Sequence, residues 1–232
     1  MISIPLFLTN RYPCSYLDDK FAQSVFVHPS CPLTPALYAQ LIEQGFRRSG
    51  DEVYKPNCPQ CAACVSVRLP VAQFQPNRSQ KRCWKKNHTT QAIIKPPVFE
   101  QSHYELYLRY QAARHSGGDM AYSSPEDYIN FLGSCWCDTQ FVEFSIGNEL
   151  AGVAVIDQFD NAYSAVYTFF EPKFSSHSLG MYAVLWQIEH TKMQQREFLY
   201  LGFWINECRK MAYKKDYRPM QFFIENQWLG LQ

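Results

Sequence analysis

Aromatic and β-branched residues run almost without a break over residues 162–170 (Ala-Tyr-Ser-Ala-Val-Tyr-Thr-Phe-Phe). Such a run predicts a strand, and Glu171-Pro172 ends it because proline has no N–H to give a ladder. Residues 173–178 are polar. Behind them Met181, Val184, Leu185 and Ile188 recur at helical spacing, with Ser178 placed as the N-cap. A helix starting there directs free backbone N–H groups and the positive end of its dipole beside the strand end. Any strand-loop-helix of an α/β protein shares that pattern, so it fixes a geometry before it fixes a chemistry.

The rest of the chain divides in the same way. Thr34-Pro35 opens a helix, with Thr34 as N-cap and Pro35 in the first turn, and Gly45 closes it. Residues 46–54 predict two short strands around Ser49-Gly50-Asp51, and residues 65–71 a further strand. A helix is expected within 74–87 with Asn77 near its start, a tyrosine-rich one over 99–114, and a third from Ser124-Pro125-Glu126-Asp127 to Gly133. A meander follows over 140–146, 150–158 and 163–170, its first turn at Gly147-Asn148. Residues 197–202 read as a strand, 203–214 as a basic helix, and 222–224 as a short last strand. The expected class is mixed α/β (α+β). Residues 96–232 carry an N-acetyltransferase-like (GNAT-type) acyltransferase core, and residues 1–95 a cysteine-rich, basic, metal-binding region.

Composition adds three constraints. At 232 residues, 47% hydrophobic and 16% aromatic, the chain can bury a substantial core. No run approaches the ~18–20 apolar residues of a membrane span. The start Met1-Ile2-Ser3-Ile4-Pro5-Leu6 lacks the basic opening of an export signal, and nine unevenly spaced cysteines do not suit a disulfide framework, so a reducing cytoplasm is expected. The net charge of +1 conceals a lopsided distribution. No Asp or Glu occurs over 53–99, a window that holds Lys55, Arg68, Arg78, Lys81, Arg82, Lys85, Lys86 and Lys95. Arg209, Lys210, Lys214, Lys215 and Arg218 form a second cluster, relieved by Asp216. Such clustering fits a polyanionic partner, and Arg78, Arg82 and Lys85 share one helical face suited to a phosphate backbone.

Cys58, Cys61 and Cys64 stand at successive three-residue intervals. Thiols so spaced converge on one ion, and both zinc and iron–sulfur clusters take thiolates and need a fourth ligand. Cys14 is the candidate fourth, with Cys31 and Cys83 behind it, so the N-terminus is expected to fold back on this loop. A redox dithiol is the alternative.

The acyltransferase reading needs a place for the donor. Coenzyme A versions carry a glycine-rich phosphate loop before the helix, whereas this chain offers only Ser178-Leu179-Gly180. A donor with its phosphates held on the basic window, such as an aminoacyl-tRNA, fits better than coenzyme A. Ser178 and Gly180 remain donor-binding candidates. Here the residues meet a known family. Ser49-Gly50-Asp51 with Tyr54-Lys55-Pro56, the cysteine loop running into Ser66-Val67-Arg68, and Arg78-Ser79-Gln80 resemble the N-terminal part of bacterial aminoacyl-tRNA–protein transferases. The resemblance continues through Ser164-Ala165-Val166-Tyr167-Thr168-Phe169, Ser178-Leu179-Gly180, Tyr200-Leu201-Gly202, Lys210-Met211-Ala212-Tyr213-Lys214 and Tyr217-Arg218-Pro219. It spans nearly the whole chain in order, and the nearest subgroup is the leucyltransferases that modify N-terminal Asp or Glu.

That resemblance implies transfer of leucine from leucyl-tRNA to acidic protein N-termini, which marks the acceptor for N-end-rule degradation by downstream machinery. It also implies an iron–sulfur or zinc centre: Cys14 and Cys61 match the eukaryotic members, while Cys58 and Cys64 match only the bacterial form. His190 and Phe203 depart from the family pattern. The chemistry asks little of the protein, since the ester is already activated and an α-amine of pKa ~7.7–8.0 is partly neutral. Asp157 is the candidate proton acceptor or amine anchor, with Tyr167 and Ser164 lining the strand face. Arg47, Arg48 and Arg218 are candidates for the acidic side chain, which a bidentate arginine suits. Arg78, Lys81, Arg82, Lys85, Lys86, Lys210 and Lys214 are candidates for tRNA. An arginyl donor, a coenzyme A-dependent N-acetyltransferase and a non-catalytic metal-stabilised RNA-binding protein are the alternatives.

Overall fold

The computed structural model describes residues 4–114 and 122–230. Its elements, in chain order, are β1 (Leu6–Leu8), β2 (Tyr12–Pro13), β3 (Phe21–Ala22), β4 (Ser24–Val27), α1 (Pro35–Glu43), β5 (Arg47–Ser49), β6 (Glu52–Pro56), β7 (Val65–Pro70), α2 (Arg78–Lys86), β8 (Gln91–Lys95), α3 (Gln101–Arg114) and α4 (Pro125–Leu132). There follow β9 (Thr139–Ile146), β10 (Glu149–Gln158), β11 (Ala162–Phe170), α5 (Leu179–Met193), β12 (Phe198–Trp204), α6 (Arg209–Ala212), β13 (Gln221–Ile224) and β14 (Gln227–Gly230). This is the mixed α/β class the pattern predicts. Among the described residues, no helix is long and apolar enough to cross a membrane.

Eight strands form one sheet in the order β14-β13-β7-β12-β11-β10-β9-β8, and a four-stranded sheet has the order β1-β4-β6-β5. β10 lies inside the large sheet and is apolar on both faces, because each face is covered. Ala154 and Ile156 belong to the core with Ala183, Leu185 and Ile188 of α5. Val153 and Val155 belong to a second core with Leu106 and Tyr107 of α3 and Tyr128 and Leu132 of α4. Alternate residues of one strand thus feed two cores, each fully buried large side chain contributing about 1.5–3 kcal/mol. A third core, with Tyr38, Leu41 and Ile42 of α1, Val53 of β6, Ala162 and Tyr200, seats the small sheet on the end of the large one.

The helix starts come from local hydrogen bonding. Thr34 Oγ1 accepts from the Leu37 N–H at 3.2 Å, and Asn77 and Ser124 each complete a reciprocal capping box with the residue three positions on. Three expectations fail. Ser178 is not a side-chain cap: it sits in the left-handed region at φ +53 and makes no capping bond through its hydroxyl. Residues 172–177 form a 3₁₀ turn instead of an open loop. Phe203 and Trp204 extend β12, pairing with Ser66 and Val65 of β7, and leave only a four-residue helix at Arg209–Ala212. Burial of Phe203 to 2% exposure outweighs the helical tendency of the residues after it. β8, β14 and the small N-terminal strands carry no legible pattern; β8 and β14 lie at the sheet edges, where alternation is weak. Strands β7 and β8, both before residue 96, are members of the large sheet.

Candidate functional site

The parallel pair β11 and β12 is bonded only at Ala162↔Phe198, Tyr163↔Leu199 and Ser164↔Tyr200. Beyond that level the strands separate, although β11 continues to Phe170 and β12 to Trp204. Each strand carries an irregularity at that height. The β10–β11 register steps from Ile156↔Ala165 to Val155↔Tyr167, leaving Val166 without an opposite residue. The β12–β7 register steps from Tyr200↔Arg68 to Gly202↔Val67, leaving Leu201 likewise. Bulges of this kind bend strands and release backbone groups from the ladder. The result is a wedge whose wall carbonyls, at Val166 and Phe203, are bonded by side chains instead of by a facing strand.

Arg47 fills that wedge. Its Nη2 donates to the Val166 carbonyl at 2.5 Å. On the other wall, a Cβ built on Gly202 would stand 2.5 Å from Arg47 Nη1, and Gly202 has φ +72, so both space and backbone require glycine there. Arg47, Ser164, Ser66, Tyr200 and Gly202 line a cavity of about 10 Å³, room for one water at most. Arg47 comes from β5 of the small sheet, and the next residue on that strand points the opposite way.

That next residue, Arg48, is buried against Asp157 on β10. Its Nε donates to Oδ2 and its Nη2 to Oδ1, both at 2.6 Å, and neither side chain is exposed. The remaining donors reach the carbonyls of Gly50, Gly133 and Leu132 and the Thr139 hydroxyl at 3.0–3.2 Å. Burial alone would favour the neutral guanidine, but the Asp157 charge and hydrogen bonds outweigh it and leave Arg48 more firmly cationic than usual. Asp157 also accepts from Thr139 Oγ1 at 2.8 Å. Asp157, expected in proton transfer, and Arg48, expected to bind an acidic side chain, thus satisfy each other, and neither side chain is exposed.

Lys214, expected on a tRNA-facing surface, is 5% exposed. Its Nζ donates to the Phe203 carbonyl on the far wall of the wedge, with Met211 Sδ at 3.5 Å. Burial first, and then the charge of Arg47, hold its ammonium well below the usual lysine range, against smaller opposing effects of Cys208 and Cys64. Tyr167 accepts from Gln111 Nε2 at 2.9 Å, and burial pushes its phenol up. Ser164 is 4% exposed and opposite Asp157 in the β10–β11 register. Gly180 packs under the Phe170 ring, 3.2 Å from the Cβ it lacks, which places an aromatic ring beside the start of α5.

The basic residues separate by exposure. Arg78, Lys81, Arg82, Lys85 and Lys86 are all exposed on α2, as are Lys210 and Arg218 elsewhere. The structure brings the two basic stretches together: Gln80 Nε2 of α2 donates to the Asp216 carbonyl at 3.1 Å, and the Phe74 and Tyr217 rings stack at 6.3 Å. At its other end α2 holds the loop before α5, through Asn87 Nδ2 to the His177 carbonyl at 2.9 Å and Lys86 Nζ to the Ser176 carbonyl at 2.7 Å.

The cysteine loop lies near the same end of the sheet. The Cys64 thiol is pushed up to about 12 by burial and by the charges that Cys14, Cys58, Cys61 and Cys208 would carry. That mutual repulsion is what a soft cation would relieve, so the donor set has the chemistry of a thiolate metal or cluster site. Gln23, on the chain between Cys14 and the loop, donates its N–H to Cys58 Sγ at 3.4 Å, and the Cys58 thiol faces its carbonyl at 3.6 Å. Among the described residues the one group of three ligand-type side chains with ligand atoms within 4.8 Å of one another is Glu100, His103 and Glu143; Cys14, Cys58, Cys61 and Cys64 form no such group. Lys95 Nζ already pairs with both carboxylates, at 3.0 and 2.7 Å. Glu100 and His103 are three positions apart, but Glu143 comes from β9, and no motif announces the group.

Two family profiles match the chain: "Arginine-tRNA-protein transferase, N terminus" over residues 12–82 and "Arginine-tRNA-protein transferase, C terminus" over residues 102–224. Among similar proteins, the aspartate/glutamate leucyltransferase of Saccharophagus degradans is 47% identical over 97% of this chain and 96% of the relative. That of Thiobacillus denitrificans is 48% identical over 99% and 95%, and that of Hahella chejuensis 42% over 99% and 98%. Among solved structures, L-PGS from Bacillus licheniformis superposes with a TM-score of 0.45 at 12% identity, over 73% of this chain and 51% of that one. At that level the likeness carries no argument about fold.

Proposed function

The chain belongs to the arginine-tRNA-protein transferase family, and from that premise we propose that it transfers leucine from leucyl-tRNA to the N-terminal Asp or Glu of acceptor proteins. The added leucine marks the acceptor for N-end-rule degradation in the cytoplasm. The observation that carries the site is the wedge between β11 and β12, with Arg47 spanning it from Val166 to Gly202. An N-acetyltransferase-type core uses such a separation to hold an extended acyl donor against free strand carbonyls. Here the aminoacyl ester lies at the mouth of that separation, beside Arg47 and the start of α5, and the basic face of α2, joined to the 213–218 turn through Gln80 and Asp216, takes the tRNA phosphates.

The acceptor α-amine nitrogen attacks the ester carbonyl carbon. A C–N bond forms, the C–O bond to the ribose breaks, and the nitrogen's proton leaves as the ribose hydroxyl is restored. Alignment of ester and amine supplies most of the acceleration, with up to ~7–11 kcal/mol available from orientation alone. Arg47 is the cation that meets the acidic side chain. Asp157 acts indirectly: by fixing Arg48 it fixes the strand from which Arg47 projects. Cys14, Cys58, Cys61 and Cys64 hold a zinc ion or an iron–sulfur cluster that pins the N-terminus to the loop, a structural contribution with no part in the transfer step. Replacing Cys58, Cys61 and Cys64 by Ser lowers the bound metal; full retention would refute the assignment.

The decisive experiment supplies labelled leucyl-tRNA and, separately, labelled arginyl-tRNA with peptides beginning with Asp, Glu or Ala. Leucine on Asp and Glu alone is the expected result. Arginine in its place would keep the chemistry and change the donor, and no transfer of either would overturn the reading.

A further inference from the structure

Trp84 stands apart on α2. It is 41% exposed, the one large apolar side chain on the open face of that helix. The other exposed members are Arg78, Ser79, Lys81, Arg82, Lys85 and Lys86. Lys81 lies one turn before Trp84 on the same face, and Lys85 follows it directly. No acid occurs over 53–99, so nothing in this stretch of chain offsets those cations. The indole is nonetheless held in place. Its ring packs on that of Tyr182, with centroids 5.6 Å apart and planes 37° from parallel, and Tyr182 is itself buried against Phe144 at 5.5 Å. The backbone around it is tied as firmly: Cys83 Sγ faces the His177 and Ser178 carbonyls at 3.8 and 3.7 Å, and Asn87 Nδ2 donates to the first of these at 2.9 Å. Trp84 thus has a fixed place beside the first turn of α5. Packing on Tyr182 accounts for the covered part of the ring and leaves the open part unexplained.

We propose that Trp84 is a stacking platform for an unpaired base of the tRNA's 3′ strand, the strand whose last sugar carries the amino-acid ester. This rests on the transfer reading above and adds a base contact to the phosphate contacts of α2. A single strand presents flat π faces and phosphates in alternation, which an aromatic ring among cations matches without regard to sequence. A duplex keeps its bases stacked on one another and offers the ring no face, whereas unpaired bases are free to stack on aromatic side chains. Lys81 and Lys85 flank the ring, where they meet the phosphates on either side of the stacked base. A protein partner would need acidic groups and an apolar anchor at the same spacing. The tRNA supplies both from one strand, and its ester is read to lie at the start of α5, the end that α2 holds. Because Tyr182 already fixes the indole, little side-chain freedom is left to lose on binding.

The test measures binding of the whole protein to uncharged leucine tRNA across a salt series. The same tRNA trimmed of its unpaired 3′ nucleotides is measured alongside. Trp84→Ala is expected to weaken binding of the intact tRNA about tenfold, within the range of one lost base stack. The slope of log affinity against log salt stays the same, because no phosphate contact is removed, and binding of the trimmed tRNA does not change. Trp84→Phe restores most of the affinity; Trp84→Leu keeps an apolar contact with Tyr182 but no π face, and does not. An unchanged affinity, or an equal loss on intact and trimmed tRNA, overturns the platform. Restoration by leucine overturns it too, since packing alone would then suffice, and so does an effect confined to the KM of the acceptor peptide, which would give this face to the acceptor protein. If the variants do not fold, tryptophan fluorescence of the unaltered protein decides. Quenching by the intact tRNA that is lost with the trimmed one supports the platform; equal quenching, or none with either, removes it. An unaltered protein that binds as expected and transfers no leucine would leave the platform standing and fail the transfer reading, a distinct outcome.

Discussion

Arg48 and Asp157 hold each other at two points, Nε to Oδ2 and Nη2 to Oδ1, both at 2.6 Å and both out of solvent. They are 109 residues apart in the chain. The pair ties the small N-terminal sheet to the middle of the large one, and the alternation of β5 then turns Arg47 into the wedge.

Removing one partner strands the other in a low-dielectric site. Asp157→Asn is expected to cost about 3–5 kcal/mol of stability, the usual penalty for an uncompensated buried charge. The measurement is the urea midpoint. A midpoint that stays put while transfer slows would return Asp157 to the chemistry.

Gly202 stands against Arg47 with φ +72. Gly202→Ala brings about 1–2 kcal/mol of backbone strain and a Cβ 2.5 Å from the guanidinium. The expected signature is a raised KM for Asp and Glu peptides with leucyl-tRNA affinity retained. Equal KM values in the variant and the parent would show that Arg47 does not touch the acceptor.

Arg82 and Lys85 are exposed on α2. Alanine at either leaves stability within about 0.5 kcal/mol and weakens tRNA binding. The slope of log affinity against log salt falls by about 0.7–0.9 for each phosphate no longer neutralised. Filter binding across a salt series reads both the affinity and the slope, and an unaltered slope would move the tRNA path off this helix.

The Cys64 thiol has its pKa raised from 9.0 to about 12 by burial and by the neighbouring cysteines. In the metal-free protein the unfolded chain therefore gives up this proton at lower pH than the folded one. Stability is fully present below pH 9 and falls as pH rises from there towards 12. A bound cation inverts the sign, because it favours thiolates in the folded state and releases protons on binding. Denaturant midpoints against pH, with and without chelator, check both halves.

Much of the fold was legible because local chemistry wrote it. The helix starts at Thr34, Asn77 and Ser124 follow from side chains that reach the first free N–H groups. The run that forms β11 is apolar and branched enough to declare itself. Residues 203–214 mislead for the opposite reason: a helical composition is overruled by pairing of Phe203 with Ser66, far away in sequence.

The sequence by itself determined the family, the meander and central helix, the acid-free window and the cysteine spacing. All of these depend on residue types a few positions apart. Tertiary structure alone decided which cations are buried and which face water. Arg47, Arg48 and Lys214 look locally like the exposed Arg82 and Lys85. Their roles came from the register of β5 on β6, the double bulge that opens β11 from β12, and the turn that tucks Lys214 beneath Phe203. A charge takes its meaning from the groups that replace its water, and those groups arrive from distant parts of the chain only when the strands have paired.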